Sequence, residues 1–445
     1  MDYNQSLDYL YSLINYEKTS FTYDDLKLDR MRELVERVGN PQHSFPIVLV
    51  AGSKGKGSTA YFLERILAYS GMSTGLYVKP HLFCFRERIR ANGSLISPAE
   101  LADLVSRIKP VVEAMGRDFS FGKPTYFEVS VALAFCFFAE KKIDRAVVEV
   151  GLGGRLDATN VADPSLTVIT PISLDHTEIL GNTLSLIARE KAGIMRTGVP
   201  LVLAKQAEEA DEVFSTVASS LHVPIVRVEQ ESAYRILSRS WKGAEFAWCI
   251  NNGEWQKSFL PLVGDQQVDN FLTAVVAARQ WGYPVVTSAD FQEELSRLHW
   301  PGRTSLISMD PLIVFDVAHN GASFAFLCRT LHEYFDFKEV IFLLGFLEGK
   351  DYSGIAREVR AFGGTVFLTS PLNPKTVSPS QLQPYFTGDS IQVHVVKEPF
   401  SAKEQALAKA REEKKPLVVA GSFYLAKLFY DYMNLGTQKE ELELC

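Results

Sequence analysis

The sequence lacks an excess of positive charge, closely spaced cysteines and any apolar run of membrane length, and each absence removes a class of function. A formal net charge of −7 argues against nucleic acid or an acidic membrane surface as the main partner, so an anionic ligand must be held by local lysines and arginines. The five cysteines, Cys84, Cys136, Cys249, Cys328 and Cys445, form no C-x-x-C pair. No zinc site is therefore expected, and the odd count fits reduced thiols in the cytoplasm. The most apolar stretch, 129–139, lies between Glu128 and Glu140. It is far short of the ~20 residues of a membrane span and reads as a buried helix. The first residues, MDYNQSLDYLYSL, show no basic segment before an apolar core, so no secretory signal is expected. The acidic tail 438–445 does not fit a prenylation box and is expected to fray. What remains is an ordinary globular composition, 47% hydrophobic and 22% charged over 445 residues, long enough for two domains with full cores.

Apolar strand-like runs at 47–51, 74–78, 145–150, 166–172, 200–204 and 224–228 alternate with amphipathic segments, which predicts a parallel sheet wrapped by helices. Residues 234–262 predict short strands around a hairpin turn at 251–253, followed by helices at 267–281 and 288–299. After Pro301, Gly302 and Arg303 the alternation restarts, with strands expected at 312–315, 340–344, 365–368, 391–396 and 417–420 and a helix at 402–413. The expected organisation is an α/β P-loop parallel-sheet domain, 1–303, followed by a smaller Rossmann-like α/β domain, 304–445.

The first apolar strand runs into GSKGKGST, residues 52–59. Gly52, Gly55 and Gly57 can take positive φ and bring backbone N–H groups to anionic oxygens. Lys56 adds a charge, and a helix expected from Ser58 aims its positive end at the same place. The consensus G-x-x-x-x-G-K-[ST] is not met, because Gly52 lies only three residues before Gly55 and Gly57 follows Lys56. The loop is a variant phosphate cradle. Strand ends elsewhere carry polar residues, and ligands gather at the carboxyl ends of open parallel sheets. Glu149 closes an apolar strand, where it pairs either with a divalent ion or with an arginine. Asp175 and His176 follow 166–172 as a candidate metal or phosphate site. Asp316, His319 and Asn320 follow 312–315, either as nucleotide contacts with Arg303 as a phosphate clamp or as a helix cap. Lys191 falls on the apolar face of its helix with Leu184, Ile187, Ala188, Ile194 and Met195. Burial would depress its pKa and make the amine reactive toward carbon dioxide; spacing alone favours a lysine that snorkels to the rim.

These segments together resemble the folylpolyglutamate synthase and dihydrofolate synthase family of the Mur ligase superfamily. The motifs PHLFCFRERI (80–89), YFEVSVALAF (126–135), EVGLGGRLDATN (149–160), DHTEILGNTLSLIAREKAGI (175–194), WPGR (300–303) and DVAHN (316–320) occur in family order. The resemblance extends through GFLEGKD (345–351) and VVAGSFYLA (418–426). It implies an amide ligase in which ATP phosphorylates a folate carboxylate and L-glutamate attacks the acyl phosphate. The resemblance places Gly52, Ser53, Lys54, Gly55, Lys56, Gly57, Ser58, Asn270, Arg303, Asp316 and His319 at ATP, bound between the domains. It places Glu149, His176 and Ser58 at magnesium, and Lys191, Lys56 and His176 in catalysis, with Lys191 carbamoylated. Lys79, His81, Arg88, Arg155 and Asp157 fall to the substrates, a reduced folate or dihydropteroate with L-glutamate. It implies a cytoplasmic monomer without nucleic-acid or membrane partners.

Three departures from the family stand out. Ser53 and Lys54 replace a usual Thr-Asn pair, Lys79 replaces a serine associated with a magnesium ion, and Gln266 replaces a histidine. A protonated lysine cannot ligate a metal, so Lys54 and Lys79 are expected to assume part of the charge neutralisation of one magnesium. The alternative reading is a catalytically impaired nucleotide-binding relative. A peptidoglycan ligase is disfavoured, because only about 46 residues precede the loop, too few for the preceding domain such enzymes usually carry.

Overall fold

A computed structural model describes every residue except 18, 20, 284–288, 389 and 433–445. The tail 438–445, with Cys445, and position 288 of an expected helix lie outside the described residues. The chain folds into two compact units, Met1–Tyr234 with Trp248–Gln256 and Gln266–Phe291, and Arg235–Ala247 with Lys257–Asp265 and Gln292–Cys445.

The first unit is organised by an eight-stranded sheet. Its strands are β1 (Ile47–Ala51), β2 (Thr74–Tyr77), β3 (Ile89–Ala91), β4 (Ser94–Leu95), β5 (Arg145–Glu149), β6 (Pro164–Ile169), β7 (Leu201–Leu203) and β8 (Ile225–Arg227), in the order β4-β3-β2-β5-β1-β6-β7-β8. All pairings from β2 to β8 are parallel, and β3 and β4 add antiparallel edges. Every residue of β1 is buried, as a strand covered by helices on both faces must be. The register puts Glu149 beside Val50, one residue before the end of β1. The stretch 129–139 lies in the buried helix Tyr126–Glu140, started by a Thr125–Glu128 capping box. No helix among the described residues is long and apolar enough to cross a membrane.

The expected strand positions hold: 47–51, 312–315, 340–344 and 417–420 have the bounds expected, the strands expected at 166–172 and 365–368 begin two residues and one residue earlier, and the ends of the others, with that of 166–172, fall one to three residues short. The strands of two and three residues, β4 and β3, were too short to stand out in the sequence. Residues 234–262 form longer strands than expected, β9 (Ser232–Ser240), β10 (Gly243–Ile250) and β11 (Gln256–Leu260). The turn at 251–253 is present, with Asn251 and Asn252 at φ 51° and 54°, as a tight hairpin requires. These strands form a sheet in the order β11-β10-β9.

The second unit is built on β12 (Ser305–Met309), β13 (Leu312–Phe315), β14 (Val340–Leu344), β15 (Gly364–Leu368), β16 (Ile391–Val395) and β17 (Leu417–Ala420), in the order β12-β13-β17-β14-β15-β16. Only β12 runs antiparallel to its neighbour. Its sequence, SLISM, carries no strong strand signal and was missed. Cys136, Cys249 and Cys328 are free thiols.

Candidate active site

Strand β1 ends at Ala51 and the chain turns through Gly52 and Gly55, at φ 143° and 83°. The backbone N–H groups of Ser53 and Lys54 donate to the Pro171 carbonyl at 3.1 and 3.2 Å. The Ser53 hydroxyl donates to the Ser173 carbonyl at 3.0 Å. The helix Lys56–Tyr69 begins with no side-chain cap, so its first N–H groups face the loop mouth as a ready anion site. It starts two residues earlier than expected and takes Gly57 into its first turn, which corrects the expectation of positive φ there. Lys56 Nζ folds over the loop and donates to the Gly52 and Ser53 carbonyls at 3.0 and 3.4 Å. Asn270, on the helix Gln266–Gln280, sits directly on Gly55, where any Cβ would collide with its Oδ1. Thr59 Oγ1 lies 3.5 Å from the same oxygen. Two distant expected residues, Gly55 and Asn270, therefore meet.

The strands β2, β5, β1 and β6 are consecutive neighbours, about 4.8 Å apart, and each leaves its carboxyl end beside charged residues. Lys79 follows β2; its backbone N–H donates to Glu149 Oε2 at 3.1 Å, and its ammonium lies 5.5 Å from the Phe127 ring centroid. Glu149 ends β5 at 5% exposure. Lys54 Nζ pairs with Asp175 Oδ2, beyond β6, at 3.3 Å. Lys191, on the helix Leu184–Ala192, is also only 5% exposed. Its burial pushes the ammonium down to about 7; the Lys56 charge adds to the fall, Asp175 opposes it, and Lys79 and Asp157 act in the same two senses. Burial likewise lowers Lys56, against the attraction of Glu149. The snorkelling reading of Lys191 is thus replaced by a buried amine.

His176 is exposed and takes φ 52° as it starts the short helix Thr177–Leu180. Among the described residues no group of three or more His, Cys, Asp or Glu is placed to hold a metal. Magnesium characteristically takes one or two carboxylates and fills its octahedron with phosphate oxygens and water. The donors here fit an ion held chiefly by phosphates, and they do not form a protein cage.

The loop 151–160 packs on the helix that carries Lys191. A Cβ on Gly154 would fall 2.7 Å from the Glu190 carbonyl oxygen, and one on Gly193 would run into Arg155. The Asp157 carboxylate is spent on its own loop, accepting from the Leu152 and Thr159 N–H groups at 2.8 and 3.0 Å and from the Thr159 hydroxyl. Arg155 is exposed and pairs with Glu190 at 3.2 Å and with the Tyr23 hydroxyl. Both residues are engaged within this part of the fold. Arg88, in contrast, is wholly buried: Nη2 forks onto Glu17 at 2.8 and 3.0 Å, and Nε donates to His81 Nδ1 at 2.8 Å. An arginine only donates, so Nδ1 is the acceptor and the neutral ring carries its proton on Nε2. Arg88 Nη1 is buried with no hydrogen-bond partner among the described residues.

In the second unit, Asp316 follows β13. It accepts from Thr304 N–H at 2.6 Å, the Thr304 hydroxyl at 2.9 Å and Ala318 N–H at 2.6 Å. Burial raises its pKa against the pull of the Arg303 guanidinium and these bonds. Arg303 lies 5.7 Å from the Phe423 ring centroid, and His319 Nδ1 is 2.8 Å from the Val317 carbonyl. Asn320 caps the helix Gly321–Phe335, accepting from Ser323 N–H, as the capping alternative expected.

Sequence reasoning missed Thr170, Pro171, Ser173 and Gln206. The first three bear on the cradle, and Gln206 bonds the Thr170 carbonyl and the Ile172 N–H at 3.3 and 3.0 Å. Their only signal was a position just past a strand end, and their contacts to the cradle are made largely through backbone.

The fold agrees with comparisons to known proteins. Residues 50–278 match the Mur ligase middle domain and residues 302–423 the Mur ligase glutamate ligase domain. The chain is a Mur-type ligase. The folylpolyglutamate synthase of Lacticaseibacillus casei is 32% identical over 437 residues, covering 96% of this chain and 97% of that one. A Halobacterium salinarum protein named probable bifunctional folylpolyglutamate synthase/dihydropteroate synthase is 33% identical over 96% of this chain, which spans about half, 51%, of its length. The solved Mycobacterium tuberculosis folylpolyglutamate synthase complexed with ADP superposes with TM-score 0.88 at 27% identity over 98% of both chains. This chain belongs to the folylpolyglutamate synthase/dihydrofolate synthase family.

Proposed function

We propose that this protein joins L-glutamate to a reduced folate at the expense of ATP, with dihydropteroate as a second acceptor. The observation that carries the reading is the meeting of Lys54, Lys56, Lys79 and Lys191 with Glu149 and Asp175 around a helix N-terminus that no side chain caps. Such an array binds a polyanion and stabilises phosphoryl transfer by position and charge. A folate carboxylate oxygen attacks the γ-phosphorus, ADP leaves, and an acyl phosphate forms. The glutamate amine then attacks the carbonyl carbon, losing a proton, and phosphate departs. Lys56 neutralises the transferring phosphoryl group, and Asn270 keeps the cradle in shape through Gly55. Magnesium, held by Glu149, Ser58 and His176 together with the phosphates, supplies further neutralisation when bound. The buried Arg88 Nη1 suits a substrate carboxylate, with His81 fixed beside it.

A Lys191 amine with a pKa of about 7 is substantially neutral at physiological pH and adds to carbon dioxide, releasing a proton. The resulting carbamate is an anion among the charges of Lys56 and Lys79. We assign a cytoplasmic, monomeric enzyme with its domain boundary near residue 303. The test follows ADP release with ATP and L-glutamate while folate, dihydropteroate or neither is supplied. Release that requires an acceptor is expected, and release indifferent to both would remove the ligase reading.

A further inference from the structure

Across β2, β5, β1 and β6 the residues at and beyond the strand ends read Lys79, Glu149, Lys54 with Lys56, and Asp175. Cation and carboxylate alternate, and the lysines outnumber the carboxylates before Lys191 is added. The terminal phosphates of a nucleotide bring several negative charges into this partly dry corner, where they require cations at hydrogen-bond range. Among the described residues the protein offers no cluster of three metal-ligating side chains, but it offers these ammonium groups.

We propose that Lys54 and Lys79 are phosphate ligands that act as tethered cations, so that this protein binds the phosphates of ADP or ATP without a divalent metal. The inference rests on the nucleotide reading above and concerns what neutralises the nucleotide there. Lys54 is placed for it: its N–H is anchored to Pro171, and its ammonium reaches Asp175 at 3.3 Å. That separation is longer than the 2.7–2.9 Å typical of a tight charge-assisted bond, so a phosphate oxygen can take the ammonium from Asp175. Lys79 has its backbone held by Glu149 and its ammonium resting near the face of Phe127, 5.5 Å from the centroid. Such a contact is weak at an open site, and it leaves the ammonium hydrogens able to turn toward an anion. The close packing of Phe127 against Gly151, where a Cβ would lie 2.5 Å from Cζ, fixes that ring and with it the place of Lys79.

The experiment titrates ADP and AMPPCP into the full-length protein by calorimetry, once with magnesium and once with excess chelator. The wild type should bind in chelator within about tenfold of its magnesium affinity. Lys54→Asn and Lys79→Ser should each lower the metal-free affinity roughly tenfold and the magnesium affinity less than about threefold. Lys54→Arg and Lys79→Arg should restore metal-free binding, which a folding defect would not explain. Wild-type binding that vanishes in chelator but is strong with magnesium overturns the proposal and leaves the ligase reading intact. Serine and asparagine variants with unchanged metal-free affinity overturn it equally. Absence of binding under both conditions removes the nucleotide reading itself, and the proposal with it.

Discussion

Two strand-end loops of this molecule use a carboxylate in opposite ways. Beyond β13, Asp316 is consumed by three hydrogen bonds from Thr304 and Ala318, so its charge is spent on holding its own loop. At the end of β5, Glu149 shares its surroundings with several lysines, two of which, Lys56 and Lys191, are pushed toward neutrality. The first arrangement is complete without a ligand. The second holds more ammonium groups than carboxylates, an excess that a bound anion would relieve, which is why the function is assigned there.

The comparison can be broken most sharply at Lys56. Lys56→Ala should lower the rate of ADP release by roughly 10²–10³-fold, the scale of losing one preorganised charge stabiliser, while leaving the urea midpoint nearly unchanged. A variant that keeps full turnover would mean that the cradle is not the phosphate site. Lys191→Met probes the same crowding through stability. An amine at about 7 in the fold and near 10.4 when unfolded costs stability below about pH 10; the cost grows as pH falls to 7 and is complete below that. In carbon-dioxide-depleted buffer the variant should therefore exceed the wild type by on the order of 4–5 kcal/mol at pH 6, the gap closing by pH 10. Equal gaps at both pH values would show that the amine is not buried in the charged cluster. The smallest effect is expected at the finished loop. Asp316→Ala leaves two backbone N–H groups without an acceptor and should cost about 1–3 kcal/mol in denaturant unfolding; a neutral result would mean the loop holds itself by other means.

Much of the cradle was legible because its determinants are local. Gly52 and Gly55 follow an apolar strand and precede a helix, and Glu149 ends a run of buried residues, so each is marked by its neighbours in the chain. Lys191 was not, since its spacing fits a snorkelling and a buried lysine equally. What decides is the loop 151–160, far away in sequence, which lies on its helix. The support from Pro171 and Ser173 was hidden for a different reason: it is made through their carbonyls, which every residue has. Strand β12 was missed because Ser305 and Ser308 give it a mixed surface, and β4 because two residues carry no periodicity.

The interlock of Gly154 with Glu190 and of Gly193 with Arg155 has a consequence for how this protein can vary. Neither surface has room for a methyl group, so drift at one of them is not absorbed by the other. The distance from the end of β5 to the buried amine is inherited as a block, and a library randomised over 151–160 alone would return glycine at 154 from nearly every active clone.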